Sequence, residues 1–325
     1  MNNILITSAG RRVELVRIWQ DSAQKLLGSG SKVYATDLVP DLSAACQVAD
    51  ECFEIVRCTD PNYSSLLIEK CIEHKINIVV PTIDTELLVL AESLQKFKAA
   101  GINLVISSPA FIRACRDKRR TADLFKSLAV NSPLILDANN LNFPCFMKPI
   151  GGSCSKGVKP VHSSSDLCLN DMRNPENIFQ ELVSSEWIEY TVDLYYAVSG
   201  KLFGCVPRQR LQTRGGEISK GVTRKDGVLN FVQQHFDCLD GAMGPITLQL
   251  FTDPTREHFL GIEINPRFGG GYPMSHAAGV NYPDLLIKEL VFGESPEIFE
   301  DWRPNFAMLR YDTMISLEGE FYSFS

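Results

Sequence analysis

Residues 244–271 read GPITLQLFTDPTREHFLGIEINPRFGGG. Two apolar-rich runs, ITLQLF at 246–251 and GIEINPRF at 261–268, flank a polar turn at 253–257, which is the pattern of an antiparallel hairpin. Successive strand residues alternate faces, so Glu263, Asn265 and Arg267 project to one side and a hairpin partner can bring Gln249 beside them. One carboxylate, two amide oxygens and one guanidinium on a single surface suit a hard divalent cation with phosphate oxygens. A solvated polar sheet face is the competing reading. Gly269-Gly270-Gly271 follows at once, which no ordinary strand exit requires.

Upstream, residues 180–211 continue in strand-rich text: EYTVDLYYAV, a Ser199-Gly200 turn, then LFGCVPRQRL. Helices are expected from about 227 to 239 and 282 to 292. The first hundred residues differ: short apolar runs at 4–7, 33–36, 52–56, 76–81 and 102–107 alternate with amphipathic stretches, the rhythm of βαβ units on a parallel sheet. Within them, Val13 to Leu27 and Glu86 to Lys98 have helical spacing, and Asp60-Pro61 offers an N-cap with a first-turn proline. A smaller unit is expected to start near 109, where Ser108-Pro109 opens a helix carrying Asp117-Lys118-Arg119-Arg120. The fold class is α/β, becoming α+β in the C-terminal part.

Two loops carry further chemistry. MKPIGGSCSKGV at 147–158 frees backbone N–H groups among its glycines, while Lys148 and Lys156 add positive charge, which makes a phosphate cradle. It is not a Walker A loop, because Val158 stands where the lysine belongs; a plain glycine hairpin is the alternative. The basic residues Arg208, Arg210, Arg214 and Lys220 gather around Gly215-Gly216-Glu217 and form either an anion site or a solvated hairpin. QELV at 180–183 ends a strand run and changes domain, where extended backbone can read an adenine edge and a carboxylate such as Glu189 can accept from ribose hydroxyls. The first βα turn, Ser8 to Arg12, holds one of the three glycines of a dinucleotide fingerprint, so a turn closing a scaffold is preferred there to an NAD site.

Composition narrows the classes. Lys and Arg number 32 against 39 Asp and Glu, a net charge of −7, so no global positive field exists to hold nucleic acid or an anionic membrane. No apolar run approaches the roughly 18 residues of a membrane span, and the first apolar segment is too short for a signal peptide, so a cytoplasmic location is expected. Ten cysteines lie scattered without a CxxC pair, and five histidines form no HxH or HExxH. Reduced thiols and an oxygen-ligated metal are the expectation.

Taken in order, ILITSAGRR, PTIDTELLVLA, DKRRTADLF, MKPIGGSCSKGV, QELV…EYTVD, RQRLQTRGGEISKG and LQLF…IEINPRFGGG resemble the ATP-grasp superfamily, most closely the carbamoyl-phosphate-synthase-like branch of stand-alone ligases. The resemblance covers nearly the whole chain. It implies a Rossmann-like pre-ATP-grasp domain (1–108), a small central subdomain (109–181) and a larger antiparallel-sheet subdomain with the metal and phosphate site (182–325). Lys118 and Lys148 look like the two basic residues reaching ATP phosphates, and Gly151, Gly152, Ser153, Ser155 and Gly157 like the flap over them. Glu181, Leu182 and Val183 are similar to the adenine hinge, and Glu189 to the ribose acid, with Glu186 as the alternative. Gln249, Glu263 and Asn265 match the set that holds Mg²⁺ or Mn²⁺, and Arg267 the phosphate-transfer arginine.

The chemistry so implied is phosphorylation of a carboxylate by ATP, giving an acyl phosphate that an amine attacks. Arg267, Lys148 and Arg210 would be catalytic, with Arg208, Arg210, Glu217, Gly269, Gly270 and Gly271 shaping the acceptor side. The partners would be a small-molecule carboxylate and an amine, with a homodimer expected from family habit. Where carbamoyl phosphate synthase carries a further arginine for its bicarbonate-derived anion, Phe268 and three glycines follow here, a loop that would make room or an anion nest for a larger carboxylate. Bicarbonate phosphorylation and a non-catalytic ATP-binding module are the alternatives.

Overall fold

A computed structural model describes residues 2–152 and 157–318. They form two units, 2–107 with 281–297 and 310–318, and 108–152 and 157–280 with 298–309.

The first unit is built on β1 (Asn3–Ile6), β2 (Val33–Asp37), β3 (Glu51–Glu54), β4 (Ile76–Val80) and β5 (Asn103–Leu104), all parallel in the order β3-β2-β1-β4-β5. The inner strands β2, β1 and β4 are mostly apolar and almost wholly buried, as expected of a parallel sheet covered by helices. Its helices are α1 (Val13–Leu27), α2 (Ala44–Val48), α3 (Tyr63–Glu73), α4 (Asp84–Glu92) and α5 (Leu94–Ala99). Two starts and stops differ from expectation. Asp60 makes the turn ahead of α3, accepting from the Asn62 amide at 2.8 Å, so the helix begins after Asn62. The stretch from Glu86 to Lys98 is two helices, broken at Ser93.

At the carboxyl ends of β1 and β4, Glu86 is 0% exposed. It accepts from the Thr82 and Ile83 amides at 2.8 and 3.1 Å, from Ser8 Oγ at 2.9 Å and from Tyr63 Oη at 2.8 Å. Asp37 accepts from the amides of Gly10 (3.0 Å) and Leu38 (2.7 Å) and so closes the first βα turn, with Gly10 at φ +52°. Later in the chain, α11 (Tyr282–Ile287) adds to this unit: Lys25 pairs with Asp284 at 2.6 Å, and the Asn281 amide donates to Ser22 at 3.1 Å. The last stretch of the expected C-terminal part, 281–297, therefore packs with the parallel sheet.

The second unit opens with α6 (Pro109–Arg116) and α7 (Lys118–Ser127). The single helix expected here is broken at Asp117, whose carboxylate caps the Arg119 amide at 2.9 Å and restarts the chain with Lys118 in the first turn. A four-stranded antiparallel sheet, ordered β6-β9-β7-β8, follows from β6 (Ile135–Leu136), β7 (Cys145–Pro149), β8 (Lys159–Val161) and β9 (Asn177–Glu181), with α8 (Leu169–Arg173) ahead of β9. The six-stranded antiparallel sheet runs β14-β13-β10-β11-β12-β15, from β10 (Ile188–Tyr196), β11 (Leu202–Arg214), β12 (Glu217–Thr223), β13 (Gly244–Thr252), β14 (Phe259–Asn265) and β15 (Ala307–Leu309). Helices α9 (Gly227–His235) and α10 (Tyr272–Ala278) complete the unit.

Alternation divides the larger sheet. One face, with Tyr190, Val192, Leu194, Tyr196, Leu248, Leu250 and Ile264, packs on Phe111, Phe125, Val228, Val232 and Phe236 in the main core. The other face is polar. Among the described residues every cysteine is free, and no helix is long and apolar enough to cross a membrane.

Candidate active site

Register builds the polar face row by row. Gln249 stands opposite both Glu263 and Thr191, Thr191 opposite Arg208, and Thr247 opposite both Asn265 and Asp193. Glu189 and Arg210 lie on the same face, joined at 2.6 Å. The hairpin reading of 244–267 thus brings Gln249, Glu263 and Asn265 together. Asn265 Nδ2 donates to Glu263 Oε1 at 2.5 Å, which leaves Asn265 Oδ1 to face Arg267 Nη2 at 3.4 Å. Arg267 is also held through its backbone, its amide donating to Asn265 O at 2.8 Å and its carbonyl accepting from Thr247 Oγ1 at 3.1 Å.

Lys148, on β7, is 7% exposed, and its side chain makes no hydrogen bond or ion pair among the described residues. Burial first, then the neighbouring Lys118 charge, push its ammonium down to about 8, while Glu263 opposes the shift. Two lysines and a carboxylate therefore share one electrostatic neighbourhood. Lys118 points its Nζ at the carbonyls of Ile150 and Gly152, each at 3.5 Å, tying α7 to the start of the glycine loop. Gly152 and Gly157 hold φ +116° and +72°, backbone that favours glycine. Ser153 and Ser155, and Lys156 between the two glycines, lie outside the described residues.

Glu181 ends β9, and Leu182 and Val183 run half-buried without regular structure into the turn before β10. Glu186 is exposed in that turn. Glu189 is not on the hinge. It sits within β10, where burial raises its carboxyl above the usual range, Arg210 opposes this, and Glu263 adds to it. Arg210 donates to Glu189 and, at 2.9 Å, to the Gly216 carbonyl, while its buried Nε has no partner.

Two acceptor-side expectations are corrected. Arg208 is 0% exposed and forked onto Asp193, with Nε and Nη2 at 2.8 and 2.9 Å from the carboxylate and its buried Nη1 without a hydrogen-bond partner among the described residues, so most of its donors are turned into the protein. Gly269, Gly270 and Gly271 have no positive φ and do not form an anion nest. A Cβ there would stand 2.7 Å from Thr247 Oγ1, 3.2 Å from Glu217 Oε1 and 2.8 Å from Ile218 Cγ2 respectively, so the glycines accommodate neighbours already present. Thr191, Asp193 and Thr247 belong to the face and were missed. The period-two run Glu189, Thr191, Asp193 inside EYTVDLYY was the signal that could have found them.

Residues 4–105 match the family described as "PylC-like, N-terminal domain", and residues 178–312 the family described as "ATP-grasp in the biosynthetic pathway with Ter operon". The chain is 32% identical over 239 residues to the formate-dependent phosphoribosylglycinamide formyltransferase of Bacteroides thetaiotaomicron, covering 67% of this chain and 56% of that protein. It is 27% identical over 306 residues to the protein of that name from Bacteroides fragilis, covering 88% and 70%. The chain thus spans little more than half the length of the first of these relatives. In fold it is similar to N5-carboxyaminoimidazole synthetase from Staphylococcus aureus complexed with ADP, with a TM-score of 0.68 at 19% identity over 95% of this chain and 80% of the other.

Proposed function

With an ATP-grasp domain carried over residues 178–312, we propose that the chain is an ATP- and Mg²⁺-dependent ligase that phosphorylates a small-molecule carboxylate and passes the acyl group to an amine. The observation that carries this reading is the connected set Glu263–Asn265–Arg267, at the end of β14 and just beyond it, in the electrostatic neighbourhood of a buried Lys148 whose side chain makes no hydrogen bond among the described residues. A purely structural sheet face has little use for a largely buried lysine whose charge is not paired within the protein. The Bacteroides relatives are named for formate, a carboxylate, which supports a carboxylate as the phosphoryl acceptor.

The donors of Gln249, Glu263 and Asn265 are one carboxylate and two amide oxygens, with no thiolate or imidazole, and so fit a hard cation. Magnesium or manganese held there would neutralise phosphate charge as it builds up in transfer. Lys118 and Lys148 bind the phosphates, Leu182 and Val183 offer backbone to the adenine edge, and Gly151, Gly152 and Gly157 cover the phosphate side. Glu189 orients Arg210, which leaves the exposed Glu186 as the acid for the ribose. Arg210 receives the acid substrate through its unpaired Nε. An oxygen of that acid bonds to the γ-phosphorus as the bond to ADP breaks; the amine then bonds to the acyl carbon as phosphate leaves. Arg267 stabilises the transferring charge. The division at 109 then sets off the first domain, and that at 182 separates the central subdomain that covers ATP from the C-terminal one that carries the metal.

The test is ADP release from Mg-ATP, screened against pools of amino acids and other carboxylic acids with and without amines, with bicarbonate plus ammonia as a separate pool. Release that depends on an organic acid pool is the expected result. Release with bicarbonate alone, or ATP binding with silence in every pool, would overturn it.

A further inference from the structure

The segment that follows Arg267 rests on a buried polar layer. Asp193 accepts from Arg208 Nε and Nη2 on β11 and from Ser275 Oγ on α10, the last at 2.5 Å, so one carboxylate joins β10, β11 and α10. Arg208, Ser275, Asp193 and Thr247 are all buried. A Cβ on Gly271 would collide with Arg208 Nη1 and stand 2.9 Å from its Cζ; one on Gly269 would stand 2.7 Å from Thr247 Oγ1 and 3.5 Å from Asp193 Oδ1. The Thr247 hydroxyl in turn donates to the Arg267 carbonyl at 3.1 Å. The backbone at Gly269 and Gly271 thus lies close against Thr247 and the Arg208 guanidinium, and the absence of side chains at these glycines is what lets it sit there.

A buried ion pair contributes little net stability once its desolvation is counted, whereas removing one partner is costly. What a forked pair with a third donor does supply is a fixed geometry. We propose that Arg208, locked by Asp193 and Ser275, is a positioning residue: it fixes the Gly269–Gly271 backbone, and through it the Arg267 guanidinium, for phosphoryl transfer without touching substrate. The inference rests on the reading that Arg267 meets the transferring phosphoryl group.

The experiment measures kcat and KM for Mg-ATP by ADP release, in the acid pool that gives most turnover, with Tm recorded for each protein. The unsubstituted chain is compared with Ser275→Ala, Gly271→Ala, Arg208→Lys and Arg208→Lys/Gly271→Ala. Misplacement by a fraction of an ångström should lower kcat about tenfold or more in Ser275→Ala and Gly271→Ala while KM for Mg-ATP stays within about twofold. Lysine has no Nη1 for the new Cβ to strike, so the loss in the double variant should be smaller than the product of the single losses. If Arg208→Lys does not fold, Ser275→Ala keeps the ion pair and carries the test through the kcat and KM split. Multiplicative losses in a folded double variant, or variants that change Tm or KM but not kcat, would overturn the proposal. Failure of the unsubstituted chain to release ADP in any pool would instead overturn the ligase reading, and this inference with it, before any substitution is compared.

Discussion

Glu86 in the parallel-sheet unit and Glu263 in the antiparallel one are both carboxylates set at a sheet, yet their surroundings are opposite. Glu86 is fully buried, and four donors from its own chain meet its two oxygens. Among the described residues, Glu263 is half-buried and takes a single hydrogen bond, from Asn265, while the Lys148 side chain near it makes none. A carboxylate saturated from within is architecture, because every donor around it would be stranded by its loss. A carboxylate and an ammonium left short of partners in the same neighbourhood store capacity for a ligand.

The largest effect expected from this contrast is at Glu263. Glu263→Ala should lower ADP release by about a thousandfold or more, on the scale of a lost charge-stabilising group, with Tm unchanged or raised. Near-normal turnover would remove the metal assignment. Glu86→Ala should do the reverse. Stranding two amides and two hydroxyls should cost about 3 kcal/mol or more, read from urea unfolding, while the Mg-ATP affinity of the folded fraction stays as it was.

These two glutamates also show what sequence alone could deliver. The inner parallel strands carry short apolar runs and the hairpin from 244 to 265 alternates with period two, so the parallel and six-stranded sheets, and the placing of Gln249, Glu263 and Asn265 on one face, were legible from spacing. Arg208 and Glu189 were not. Each reads as a charge offered to a ligand, and only the pairing of β10 with β11 shows that Asp193 pairs with the first and Arg210 with the second. The break at Asp117 was hidden for a related reason: a side chain capping the backbone two residues on leaves the helical spacing of the charged run intact. The triglycine stretch announced unusual backbone, but what fills the space beside it comes from Thr247, Glu217, Arg208 and Ile218, remote in sequence.

A smaller effect sharpens the comparison through pH. Lys148 gives up its proton at about 8 in the folded chain, below the ordinary lysine range it regains on unfolding. The unfolded chain therefore binds the extra proton above about pH 8, so this residue's contribution makes stability rise from there toward the ordinary lysine value. Phosphate favours the charged form, so Mg-ATP affinity should be flat below about pH 7, weaken above about pH 8, and be accompanied by proton uptake; Lys148→Met should abolish both features, as followed by calorimetry in buffers of different ionisation heat. The smallest effect is at Gly261, where a Cβ would stand 2.7 Å from the Phe125 ring. Gly261→Ala should cost about 1–3 kcal/mol by overpacking, visible in Tm, with kcat per folded molecule unchanged.

The most direct test of the central claim, that the polar face of the six-stranded sheet holds the metal and phosphates of ATP, is the metal dependence of nucleotide binding. ATP affinity would be measured by titration with and without Mg²⁺ for the unsubstituted chain and for Glu263→Gln. The account predicts that Mg²⁺ tightens ATP binding severalfold or more in the unsubstituted chain and that this gain is lost in Glu263→Gln, whose metal-free affinity is retained. An equal Mg²⁺ gain in both proteins would contradict it and place the metal elsewhere.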